Sequence, residues 1–112
     1  MVGIDQIKSL SDAIVEHFQP DRIILFGSYA QGMPSENSDV DLLVVLPFEG
    51  KSVYMALEIR KRVRPRFPVD LIVRTPQHVR DRVAMGDWFM RDIIENGRTL
   101  YEANNGGVGP ES

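Results

Sequence analysis

Apolar side chains at Ile4, Ile7, Leu10, Ile14 and Phe18 recur at steps of three and four, with Asp5, Gln6, Lys8, Ser9, Asp12 and Glu16 between them. On a cylinder of 3.6 residues per turn that spacing draws one apolar stripe, so a helix is predicted from about Ile4 to Phe18, stopped by Pro20. The pattern then changes. Arg22-Ile23-Ile24-Leu25-Phe26 is short, rich in β-branched residues and halted by Gly27-Ser28, the mark of a buried strand. Residues Met33 to Ser38 read as loop, and Val40 to Leu46 is an aliphatic run closed by Pro47, a second core strand with both its charges, Asp39 and Asp41, at its mouth.

Helical spacing returns in Ser52 to Arg64, where Val53 with Leu57 and Met55 with Ile59 form seams before Pro65 and Pro68 break the pattern. A third strand is predicted over Val69 to Arg74. Thr75-Pro76 matches an N-cap followed by proline at the first helical position, opening a helix to about Met85. Asp87 caps another, with Phe89 and Ile93, and Met90 and Ile94, at i, i+4 spacing and Asn96-Gly97 as its stop. Arg98 to Glu102 fits a short edge strand. The predicted fold is an α/β (α+β) sandwich, a small mixed β-sheet with helices packed mainly on one face, in which strand order stays open. Residues 1–103 are assigned to one domain and the Gly/Asn-rich residues 104–112 to a flexible C-terminal tail.

Composition narrows the chemistry. A chain of 112 residues suits a single core. No apolar run approaches the roughly 20 residues needed to cross a bilayer, and the first residues lead into a polar helix instead of an export signal, so a cytoplasmic location with no membrane partner is expected. Without cysteine, a metal must be held by oxygen or imidazole. A net charge of -3 argues against nucleic acid as a partner, although Arg60, Lys61, Arg62, Arg64 and Arg66 form a local basic stretch, read as a solvated helix face.

Asp39 and Asp41 are one residue apart at the head of a strand, and the two-residue period places both carboxylates on one face. Asp70 interrupts the aliphatic strand Val69 to Val73, where a lone carboxylate is costly without a partner. Two carboxylates about 6 Å apart repel by roughly 3 kcal/mol at an effective dielectric near 20, so such a cluster takes up protons or binds a cation, for which magnesium or manganese is best suited. Gly27 lets a phosphate approach the backbone, and Ser28 is predicted to open a short helix over Tyr29 to Gln31, ended by Gly32, whose free N–H groups favour an anion. A phosphate-binding turn facing acidic metal ligands is the layout of metal-assisted nucleotide transfer. His17 reads as a helix cap and His78 as a surface residue. Trp88, on the polar side of its helix with Arg91, Asp92 and Glu95, is a candidate partner contact.

Gly27-Ser28, ten residues, then Asp39-Val40-Asp41 resembles the signature of the DNA polymerase beta-like nucleotidyltransferase superfamily. The small size and Pro68-Val69-Asp70-Leu71-Ile72-Val73 resemble its minimal nucleotidyltransferases, many of which are antitoxins beside HEPN-domain toxins. The resemblance implies the polymerase beta-like palm fold. It also implies that Asp39 and Asp41 bind two magnesium ions (Mg2+) carrying a nucleoside triphosphate, ATP, and that Asp70 shares one ion and helps activate the attacking hydroxyl. Gly27 and Ser28 would hold the triphosphate, and the acceptor implied is a tyrosine of a cognate HEPN toxin. Relatives often carry arginine where this chain has Tyr29, and sometimes a basic residue at Gln31, so a cationic phosphate contact is missing there. A non-catalytic antitoxin that blocks its partner by contact, and a small-molecule nucleotidyltransferase of the aminoglycoside-modifying type working as a homo-oligomer, are the alternatives.

Overall fold

The computed structural model describes residues 1–103; the expected tail, 104–112, lies outside the described residues. The chain runs α1 (Ile4–Phe18), β1 (Arg22–Phe26), α2 (Gly27–Ala30), β2 (Val40–Val45), α3 (Ser52–Val63), β3 (Val69–Arg74), α4 (Pro76–Ala84), α5 (Trp88–Asn96) and β4 (Arg98–Glu102). These bounds lie within a residue or two of the periodicity reading because several ends carry a local stop. Thr75 accepts a hydrogen bond from the His78 N–H at the start of α4, and Asp87 accepts one from the Met90 N–H at the start of α5.

The strands form one mixed sheet in the order β3-β2-β1-β4. β1 is antiparallel to β2 and β4, while β2 and β3 are parallel, joined by α3 as the crossover such a pair requires. The central strands are covered on both faces. Ile23, Leu25, Val40, Leu42 and Val44 pack with Ile7, Leu10 and Ile14 of α1 and Ile59 of α3, forming the larger core. The alternate side chains Ile24, Leu43 and Val45 pack with Val79 of α4 and Met90 and Ile93 of α5. The expected predominance of one face therefore holds for the larger core, and α4 with α5 adds a smaller second layer. That layer is why β1 and β2 read as unbroken apolar runs.

Three details depart from the sequence reading. Only one stripe of α3 is used: Ile59 is buried, whereas Val53 and Leu57 are exposed, because the helix meets the sheet along one line. In α5, Met90 and Ile93 are buried and Phe89 is half exposed, so the Phe89–Ile93 seam is only partly a core contact. Gly97 is not the left-handed stop expected of glycine after a helix. Its backbone is extended (φ -72°, ψ 169°), and glycine is needed because a Cβ would lie 2.5 Å from the Ile93 carbonyl oxygen and 2.6 Å from Ile24 Cγ2. The chain leaves α5 pressed against β1, entering β4 with no room for a side chain.

Candidate active site

The parallel register sets Asp41 directly beside Asp70, and the antiparallel register sets Phe26 on the other side of Asp41. Residues paired in this way project to the same face. Along β2 the side chains of Val40, Leu42 and Val44 enter the larger core, so Asp41 shares the opposite face with Leu43 and Val45, the face on which α4 and α5 lie. Asp39, two residues earlier and exposed, precedes the strand. It follows a loop that closes on itself, Ser38 Oγ accepting from the Ser35 N–H at 2.9 Å and the Ser35 carbonyl from the Ser38 N–H at 3.1 Å.

Neighbouring strands lie about 4.8 Å apart, so the carboxylates of Asp41 and Asp70 are neighbours and their like charges repel. The Asp41 carboxyl is held above the usual aspartate range, first by burial, then by the charge of Asp70 and that of Asp39. Asp70 on the neighbouring strand and Asp39 just before β2 thus both act electrostatically on Asp41.

Gly27 completes the arrangement. Its φ is +75°, and a Cβ built there would overlap Asp41 Oδ2, so the carboxylate occupies the space that any side chain would need. The bend and the acidic strand are in contact. The short helix begins at Gly27, one residue before the expected start, with Ser28 inside its first turn. Gly32, at φ +75°, follows the Gln31 cap and ends it. The first-turn amides of such a helix have no intrahelical acceptor and face outward as donors.

Tyr29 has turned away from this face. It is buried in the larger core, its hydroxyl accepting from the Val2 N–H at 3.1 Å, so it ties the start of the chain to α2 and offers nothing to a phosphate. The basic stretch is more structural than its composition suggests. Arg60 donates to the carbonyl of Val69, the residue before Asp70, and thereby fixes the head of β3 against α3. Arg62 donates to His17 Nδ1 at 3.3 Å, so His17 joins α1 to α3 as well as lying in the last turn of its helix. The role of Arg60 could be guessed from sequence only as a basic residue in the last turn of α3. Trp88 is exposed.

Among the described residues, no three His, Asp or Glu side chains lie together in a group that could hold a metal ion. Asp41 and Asp70, oxygen donors side by side on one face, nonetheless suit a hard dication, whose charge would relieve their mutual repulsion. A groove between α1 and the segment after α3, lined by Ser9, Leu10, Arg64 and Arg66 among others, lies apart from this face. No described residue belongs to a helix long and apolar enough to cross a membrane.

The profile of the nucleotidyltransferase domain family matches residues 7–101, the span from the first core residue of α1 to β4. The chain belongs to that family. A provisionally named protein adenylyltransferase of Methanocaldococcus jannaschii is 33% identical over 81 residues, 71% of this chain and 77% of that one. A provisionally named nucleotidyltransferase of Sulfolobus solfataricus superposes with a TM-score of 0.62 at 22% identity, covering 88% of this chain and 79% of its own. A toxin-antitoxin complex with AMP-PNP gives a TM-score of 0.53 at 23% identity, covering 92% of this chain and 76% of that one. At such identities the structural likenesses establish the fold, and the family match establishes the nucleotidyltransferase.

Proposed function

We propose that this nucleotidyltransferase transfers AMP from ATP to a hydroxyl of a partner protein, with magnesium held by Asp39, Asp41 and Asp70. The observation that carries the reading is the in-register pairing of Asp41 with Asp70 beneath a bend at Gly27 that has no room for a side chain. Bound divalent ions would supply charge neutralisation on the phosphates and on the departing pyrophosphate.

The protein's own groups do the rest. First-turn amides of α2 donate to the phosphate tail, which approaches closely because Gly27 lacks a Cβ. Asp39 and Asp41 would hold the metal, which would supply positive charge to offset that of the phosphates. Asp70, exposed at the outer strand, takes the proton of the incoming hydroxyl while the new oxygen–phosphorus bond forms and the bond to pyrophosphate breaks. An open face of this kind suits an acceptor delivered on a macromolecule. The relative named for protein adenylylation and the likeness to a toxin-antitoxin complex with AMP-PNP support a toxin as that acceptor, and the sequence resemblance supports a tyrosine of a HEPN toxin.

The test is incubation with magnesium, α-labelled ATP and the partner protein. Label is expected on the partner, and a folded Asp39→Ala, Asp41→Ala double variant should transfer none. Transfer by that variant rejects the assigned residues. Stoichiometric inhibition of the partner without label would favour blocking by contact, the reading that the absence of a cation at Tyr29 keeps in play.

A further inference from the structure

The row Asp70, Asp41, Phe26 across the sheet does not stop at β1. Phe26 meets Phe89 of α5 edge to face, ring centroids 5.8 Å apart and planes at 85°. Phe26 is partly buried in the α4/α5 layer, but Phe89 stands outside it, 47% exposed, while its helix neighbours Met90 and Ile93 are buried. An aromatic ring is thus held by an edge-to-face contact and still left nearly half exposed. Core packing alone accounts for the first property and not the second.

We infer that Phe89, backed by Phe26, is the platform on which the base of the bound nucleotide stacks. This rests on the nucleotidyl-transfer reading and adds to it the residue that receives the base. The placement agrees. Phe26 is paired in register with Asp41 and its ring lies 5.8 Å from that of Phe89, so the platform adjoins the row that carries the carboxylates, and one ribose is all that separates a nucleotide's α-phosphate from its base. With the phosphates at Gly27 and Ser28, the base extends across β1 toward α5. Phe26 directly precedes Gly27, so the platform and the phosphate bend are set by consecutive residues.

A flat hydrocarbon ring recognises a base by its π-face and reads none of its edges. Purine triphosphates should therefore bind better than pyrimidine ones, with ATP and GTP differing little at this contact.

The test is calorimetric titration of the full chain with magnesium and either a non-transferable ATP analogue or ribose 5-triphosphate, which has no base. Phe89→Ala should raise Kd for the ATP analogue about tenfold, within the range of base–aromatic stacking, and leave that for ribose 5-triphosphate unchanged. Phe89→Tyr should restore tight binding. Leu57→Ala, which removes a comparably exposed apolar side chain from α3, should change neither. Equal weakening of both ligands, or of neither, overturns the inference. So does a Phe89→Ala variant with intact nucleotide affinity and a raised KM for the protein acceptor, since the ring would then serve the acceptor. Failure of the unaltered protein to bind either triphosphate would instead remove the nucleotidyl-transfer reading itself.

Discussion

At position 41 the fold tolerates a carboxylate in a strand whose other residues, Val40 and Leu42 to Val45, are all aliphatic and buried. Burial and two neighbouring aspartates raise its pKa, so the folded state holds a proton there that the unfolded chain has already released. In the window between the unfolded and folded values the native state binds more protons, and stability falls as pH rises through it; above the folded value the penalty persists. In the presence of a chelator, Asp41→Asn should therefore melt a few degrees higher than the unaltered protein at neutral pH, and the difference should shrink as pH falls below the unfolded value. Calorimetry across pH checks this. The same variant should lose at least about two orders of magnitude in transfer rate, since metal charge stabilisation is worth several kcal/mol, as labelled-ATP assays would show. A gain in stability with a loss of activity is the signature of a residue kept for its chemistry.

Two junctions decide whether α5 lies correctly over the acidic face. At its start, the Asp87 carboxyl is held below the usual aspartate range, chiefly by its hydrogen bond from Arg82 at 2.8 Å and then by the Met90 N–H. A depressed folded pKa gives stability that is complete above the ordinary aspartate value and is lost as pH falls through the folded one. Asp87→Ala should lower the thermal midpoint at neutral pH, with the deficit vanishing in acid. At its end, Gly97 has no space for a methyl group between the Ile93 carbonyl and Ile24. Gly97→Ala should cost about 1–3 kcal/mol, the range for overpacking, read as a fall in the denaturant midpoint at constant slope. Because Gly97 joins α5 to β4 and abuts β1, that variant should also weaken nucleotide binding more than its stability loss alone accounts for.

For the molecule as a whole, the carboxylates and the bend are two half-sites of opposite preference, one for cations and one for anions. Magnesium with ATP should raise the thermal midpoint by more than the sum of the shifts produced by each alone, because each ligand screens the charge that opposes the other. At a hundredfold excess over Kd the pair would contribute about 2.7 kcal/mol. Thermal scans with and without chelator test this; additive shifts, or a shift that persists in the Asp39→Ala, Asp41→Ala variant, would contradict a shared site.

What could be read without coordinates was whatever is written locally. Helix and strand periods, proline stops, the Thr75 and Asp87 caps and the fixed interval from Gly27-Ser28 to Asp39 each depend on residues close along the chain, and they recovered the elements to within a residue or two. Pairing between distant segments has no such local signature. Strand order, the adjacency of Asp70 and Asp41, the second helical layer, the inward turn of Tyr29 and the meeting of Phe26 with Phe89 were decided by tertiary structure alone. Gly97 shows the division within one residue: its place after a helix was legible, but the reason for it, contact with β1, exists only once the chain has folded back on itself.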